Sequence, residues 1–266
     1  MTEKIPYINI SENIQKYKNI PLIIYKTYPY RYINRIFYKY CHEKWLLLNP
    51  DCTISWYNDN QCEKFMKEFD SKVYTCYKKL KPGSFKADLW RLCILYKYGG
   101  IYCDSYTTPF KSIKYIIDNS EYKKCGSSIF ISVLDAFDNG IHNGFIIATQ
   151  GHPFLLQGIK DIVYNVENNY YTDHMLGVTG PRCLEKSIQN VLQSKIKNKK
   201  GLNGINSKYP FYLLEFSFGP YQYIKQNNVK VLSKQYSFLH WLYNKFYQKK
   251  TTYEYMWKNG DIFNKE

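Results

Sequence analysis

The stretch "PGSFKADLWRLCILYKYGGIYCD", Pro82 to Asp104, constrains the fold more than any other part of this chain. Ser84 offers an N-cap hydroxyl, and Phe85, Leu89, Leu92, Cys93 and Tyr96 recur at helical spacing. Gly99 stands where the helix should stop, because glycine enters left-handed backbone without steric cost. The apolar run Ile101-Tyr102-Cys103 then reads as a short buried strand ending on a carboxylate, Asp104. A helix delivered through two glycines into such a strand points to an α/β architecture, in which ligands gather at strand carboxyl ends. By spacing alone Asp104 is either a ligand-site acid or an ordinary acid at the end of a strand.

The preceding residues support the same class. "PLIIY", Pro21 to Tyr25, and "CTISWYND" read as strands. Between them Ile33 to Leu48 reads as a helix closed by the "NPD" turn. This strand-helix-strand order predicts a parallel sheet. Beyond Pro109, "SSIFISVL" and "NGFIIATQ" read as strands joined by the polar "DAFDNGIH", while "HPFLLQGIKDIVYNV" and "TGPRCLEKSIQNVLQ" read as helices. "KIKNKKGLNG", Lys195 to Gly204, reads as a charged, solvated loop, and the C-terminal part carries aromatic clusters. No repeat or Pro/Ser-rich linker divides the 266 residues. The expectation is a single α/β domain over 1–266, with a mostly parallel central sheet flanked by helices and an aromatic-rich C-terminal elaboration.

A net charge of +15 favours acidic partners: nucleotides, phosphorylated donors, nucleic acid or an anionic membrane face. Charge alone does not choose among them, and no RNP, helix-turn-helix or zinc pattern supports nucleic-acid binding, which ranks last. The eight cysteines form no Cys-x-x-Cys pair, and Cys93 and Cys103 lie in apolar runs where free thiols pack. The opening "MTEKIPYINISENIQKYKN" has no apolar signal region, and no apolar run approaches the ~20 residues of a membrane span. These features predict a reduced, cytoplasmic protein without a transmembrane segment.

The five histidines, at 42, 142, 152, 174 and 240, show no metal-ligand spacing with cysteine, and G-x-S-x-G, Walker A and G-x-G-x-x-G patterns are lacking. What remains is Asp88 and Arg91, three apart on one side of a helix, and the strand-end Asp104. The pair reads either as a solvated helical ion pair, worth only ~0.3–0.5 kcal/mol, or as a carboxylate and a guanidinium that bind sugar hydroxyls. A strand-end acid can face a ribose or a diphosphate-bound metal.

"FKADLWRLCILYKYGGIYCD" resembles the core signature of glycosyltransferase family 32, the sugar-binding region containing a DXD motif. "IPLIIYKTY", "NPDCTISWYND", "NGFIIATQGHPF" and "TGP" resemble further segments of that family in its own order, over about residues 20 to 182. The resemblance implies a GT-A fold. It also implies transfer of a sugar from a UDP- or GDP-sugar to a glycan, protein or lipid hydroxyl, with retention of configuration. By position, Asp88 and Arg91 would hold the donor sugar, and Tyr102 and Asp104 would lie near ribose and diphosphate, so Asp88, Arg91 and Asp104 are the catalytic candidates. Tyr28 stands where relatives often carry a tryptophan that stacks on the base, although a core tyrosine is the commoner fate. His240 is a candidate for the tail over the diphosphate; the alternative is a packed or surface histidine beside Trp241.

The departure is Tyr106, which stands where the motif's second acid would ligate a divalent cation. A phenol stays protonated at neutral pH and is a poor ligand for a hard cation. Asp104 is then the one metal-facing acid: either Mn²⁺ or Mg²⁺ binds weakly with other groups completing the site, or transfer proceeds without a metal, using basic side chains. The competing expectation from the same resemblance is a catalytically silent nucleotide-sugar or glycan binder.

Overall fold

The computed structural model describes residues 14–28, 35–135, 140–195, 199–217, 222–234 and 252–264. A small hairpin of β1 (Lys16–Tyr17) and β2 (Ile20–Pro21) precedes β3 (Ile23–Thr27). Helix α1 (Arg35–Leu48) then leads to β4 (Thr53–Tyr57), which pairs parallel to β3 with Ile23 opposite Thr53 and Thr27 opposite Tyr57. Two helices absent from the sequence reading follow, α2 (Asp59–Phe69) and α3 (Ser71–Lys79). The first opens on a reciprocal capping box between Asn58 and Gln61, and the second on the Asp70 carboxylate.

Helix α4 (Gly83–Tyr98) has Pro82 at its N-cap, two residues before the expected Ser84 and without a side-chain capping bond, and ends at Gly99. Gly99 (φ 69°) and Gly100 (φ 105°) are both required: a Cβ on the first would lie 2.7 Å from the Gln150 nitrogen, and on the second 2.9 Å from the Ile23 oxygen. α4 is apolar on nearly every side, so it is buried, and Asp88 and Arg91 go inside with it. Strand β5 (Gly100–Cys103) then joins β3 in parallel, Ile24 opposite Ile101.

The remaining elements are β6 (Thr107–Pro109), α5 (Ile113–Asp118), a 3-10 turn at Tyr122–Cys125, β7 (Phe130–Leu134), β8 (Ile141–Ala148) and α6 (Pro153–Glu167). A second 3-10 turn, Met175–Gly177, precedes α7 (Pro181–Leu192), β9 (Gly201–Asn203), β10 (Phe211–Ser217), β11 (Gln222–Gln226), β12 (Val229–Lys234) and α8 (Tyr253–Lys258). The ten-stranded sheet runs β4-β3-β5-β8-β7-β10-β11-β12-β6, with β9 on β10.

The α/β class with helices against a central sheet holds, but the sheet is mixed where mostly parallel pairing was expected. The parallel pairs are β3–β4, β3–β5 and β7–β10. The pairs β5–β8, β7–β8, β10–β11, β11–β12 and β12–β6 are antiparallel. The cause is connection length: β7 reaches β8, and β11 reaches β12, without the long crossover a parallel pair needs. Because β5 and β6 are consecutive yet far apart in this order, and three residues span at most ~14 Å from strand to strand, the sheet curls until β6 returns beside β3 and β5.

Each face of the sheet carries its own apolar cluster. Trp90, Phe154, Ile162 and Tyr102 belong to one, and Trp45, Trp56, Ile101, Cys103 and Phe145 to the other, as the alternation along β5 dictates. All eight cysteines are free and buried. Among the described residues, no helix is long and apolar enough to cross a membrane.

Candidate functional site

The parallel strands β4, β3 and β5 end together at Tyr57, Thr27 and Cys103, and Asp104 follows directly. The turn 104–106 is closed by the Thr107 amide donating to the Asp104 carbonyl (3.1 Å) and is tied to β3 by the Ser105 hydroxyl, which donates to the Thr27 carbonyl. Asp104 and its turn therefore leave the sheet at the carboxyl edge, the edge where α/β folds bind ligands.

Arg91 is the hub. Its Nε donates to the Ala87 carbonyl (3.1 Å) and Nη1 to the Asn143 carbonyl (2.8 Å), while Nη2 lies 3.2 Å from Asp88 Oδ1. Nη1 is also 3.7 Å from Asp104 Oδ1, and the guanidinium lies 4.3 Å from the centre of the Tyr102 ring. The Tyr102 hydroxyl donates to Asp104 Oδ1 (3.2 Å). Asp88 accepts from Asn143 Nδ2 (2.9 Å) and from the Thr179 hydroxyl (2.8 Å). Asp88 and Arg91 are thus not a solvated pair: their side chains are 12% and 7% exposed, whereas Asp104 is 35% exposed. Burial pushes the Asp88 carboxyl up to about 6, against Arg91 and the two hydrogen bonds that favour its charge.

The structure brings Asp88, Arg91, Tyr102 and Asp104 into one connected network. Tyr106 sits half-buried in the turn that follows Asp104. Tyr28 is buried in the apolar cluster, edge-on to Trp56 with ring centres 6.0 Å apart. His240 lies outside the described residues. Sequence reasoning assigned no role to Asn143, Gly144 and Thr179. The first two lie in "NGFIIATQ", read as a strand and as a segment resembling the family without a role for either residue; the pairing of β8 with β7 shifts between Ile131 and Val133, and the Asn143 carbonyl goes to Arg91. A Cβ on Gly144 would fall 2.3 Å from Asp104 Oδ2 and 2.4 Å from His142 Cε1, so glycine there makes room for both side chains.

The donor chemistry does not make a divalent-cation cage by itself. One carboxylate oxygen of Asp104 already accepts from Tyr102 and faces the Arg91 cation, and Tyr106 supplies a neutral phenol. Among the described residues, no group of three His, Cys, Asp or Glu side chains could hold a metal ion.

The family model of the "Glycosyltransferase sugar-binding region containing DXD motif" matches residues 37–123, which run from α1 through Asp88, Arg91 and Asp104 to the turn after α5. An initiation-specific alpha-1,6-mannosyltransferase of Candida albicans is 28% identical over 210 residues, 66% of this chain and 53% of that protein. An inositol phosphoceramide mannosyltransferase of Schizosaccharomyces pombe is 27% identical over 175 residues, 62% of this chain and 44% of its own. The chain therefore spans about half the length of the curated relatives it matches. Among solved structures, the PaToxG glycosyltransferase shares the fold at a TM-score of 0.50 and 17% identity, over 65% of this chain and 70% of that one. Residues 37–123 thus match the sugar-binding region of DXD-motif glycosyltransferases, and the chain is similar to yeast mannosyltransferases.

Proposed function

We propose that the protein transfers a sugar from a nucleoside-diphosphate sugar, UDP- or GDP-linked, to a hydroxyl of a glycan, protein or lipid, with retention at the anomeric carbon. The observation that carries this reading is the network Asp88–Arg91–Tyr102–Asp104 at the carboxyl edge of three parallel strands. In it, the buried Asp88 and Arg91 are locked against α4, β8 and the Gly180 corner, which preorganises them for hydroxyl recognition. Asp104, the most exposed member, faces the ribose and diphosphate. The bond broken joins the anomeric carbon to the diphosphate oxygen, and the bond formed joins that carbon to the acceptor oxygen. The acceptor hydroxyl's proton leaves with the departing diphosphate, which completes the balance. Because the relatives are named mannosyltransferases, mannosyl donors are the first to assay.

A second reading, a nucleotide-sugar binder without turnover, is favoured by one residue: Tyr106 in place of the motif's second acid. A thermal-shift panel of UDP- and GDP-sugars, followed by product analysis with the donor that binds, separates the two. A ligand at a hundred times its Kd adds about 2.7 kcal/mol of stability. Stabilisation with release of free UDP or GDP in the presence of acceptor supports transfer; stabilisation without turnover supports the binder; no response to any donor refutes both.

A further inference from the structure

Lys26, next to the carboxyl end of β3, is fully buried. Its ammonium donates to the Asp104 carbonyl (3.0 Å) and to the Thr107 carbonyl (3.4 Å), the two ends of the turn that carries Asp104 and Tyr106. The same Nζ lies 5.1 Å from the Trp45 ring centre and 5.4 Å from that of Trp56. Trp45 adds its indole N–H to the Thr107 carbonyl (2.8 Å). No carboxylate among the described residues lies within ion-pair distance of Lys26.

Burying a cation against only carbonyls and aromatic faces is costly, and an apolar side chain of similar length would fill the same chamber without that cost. The charge is therefore not explained by packing. Little local anion neutralises it, and in a low-dielectric interior its field reaches further than in water. Nearby His42 accepts from Trp56 at Nδ1, and its pKa is lowered first by burial and next by the Lys26 charge. The consequence falls on the turn directly above. Tyr106 withholds one negative charge there, and Lys26 adds one positive charge beneath.

We propose that Lys26 is a positioning residue of the donor site, holding the Asp104–Thr107 turn and setting a fixed positive charge beneath it that favours the donor's diphosphate. The inference rests on the donor-site reading above. It assigns to the protein's own chain part of the charge balance that a cation on a complete Asp-x-Asp pair would supply.

The test uses the full chain with Lys26→Met and Lys26→Gln, titrated with UDP and GDP in EDTA by calorimetry, and with the parent nucleosides by ligand-observed NMR. The Gln variant keeps an N–H donor for the turn but no charge, so it separates hydrogen bonding from charge and remains informative should the Met variant not fold. For whichever diphosphate the wild type binds, both variants should bind about tenfold more weakly, while nucleoside binding stays within about twofold. A variant that matches the wild type for the diphosphate overturns the inference and leaves the donor-site reading standing. Equal losses for nucleoside and diphosphate also overturn it, since they mark collapse of the pocket. Wild-type protein that binds neither diphosphate overturns both.

Discussion

Gly144→Ala isolates the placement of Asp104 from the stability of the fold. Gly144 is not among the residues with positive φ and lies within β8, so alanine fits its backbone. Its added Cβ would fall 2.3 Å from Asp104 Oδ2 and 2.4 Å from His142 Cε1. Ordinary carbon contacts begin near 3.5 Å, so one or both side chains must retreat by about 1 Å. Asp104 is partly exposed and has room to swing outward, which takes it from the Tyr102 hydroxyl and away from Arg91. A displacement of that size at a positioned group costs about 10²-fold in rate, or about 2.7 kcal/mol of transition-state stabilisation. The expected result is a kcat/KM for sugar transfer lowered about 100-fold, with the far-UV spectrum unchanged. Gly83→Ala is the matched control, because a Cβ there meets nothing within 4 Å. If Gly144→Ala transfers sugar and binds UDP or GDP as the wild type does, Asp104 is not where the reaction needs it and the site assignment is wrong.

Arg91→Lys keeps a charge but cannot bridge the Ala87 and Asn143 carbonyls, Asp88 and the Tyr102 face together; donor turnover should fall by at least tenfold and the urea midpoint should drop, with wild-type kinetics counting against the hub role. Mn²⁺ alone should bind the apo protein poorly and Tyr106→Asp should tighten it; calorimetry giving micromolar Mn²⁺ affinity for the wild type without nucleotide would refute this. His152 caps α6 by accepting from the Phe154 amide, and its burial lowers its pKa from 6.5 to about 3. The unfolded chain binds the extra proton between those values, so this stability is present above pH 6.5 and is lost as pH falls, by about 1.4 kcal/mol per unit. Asp88, raised from 3.8 to about 6, acts in the opposite sense, since there the folded state holds the proton and stability falls as pH rises. Between pH 6 and 4 the two nearly cancel, so His152→Asn, which preserves a capping oxygen, should uncover the Asp88 contribution and become more stable relative to wild type as pH falls through that range; a urea-titration slope that matches the wild type would refute this.

The α4–β5 unit was legible because two local signals agree there: a 3.6-residue apolar period and a pair of glycines whose backbone no other residue could adopt without collision. The burial of Asp88 and Arg91 was also written locally, in the near-continuous Leu89-Trp90-Arg91-Leu92-Cys93-Ile94-Leu95, which leaves no solvated face for an ion pair. Their partners were not. Asn143 and Thr179 reach Asp88 from 55 and 91 residues away, and nothing near a strand asparagine or a threonine before a Gly-Pro turn announces where the chain will bring it. Helices α2 and α3 had a signal that went unused, the Asn58-x-x-Gln61 box ahead of Cys62, Phe65 and Met66. Strands β10 to β12 were hidden for a different reason. Their register is set by β7 and β6, far away in sequence, and aromatic residues so pervade that part of the chain that alternation is blurred.

The return of β6 to the far end of the strand order has a consequence for how the protein comes into being. Thr107, Thr108 and Pro109 pair with Lys234, Ser233 and Leu232, so the segment that leaves the Asp104 turn waits for residues made more than a hundred positions later. During synthesis the N-terminal strands, α4 and the Asp104 turn that Lys26 and Trp45 hold can form early, but the strand leaving that turn is paired only after β12 has docked. Contacts of such long sequence separation are slow to form. A ribosome-bound chain that stops before β11 should therefore possess its buried helix, its parallel strands and the Asp88–Arg91–Asp104 network, yet leave β6 without its strand partner. Completion of the sheet would then be a separate, later event that closes β6 against β12.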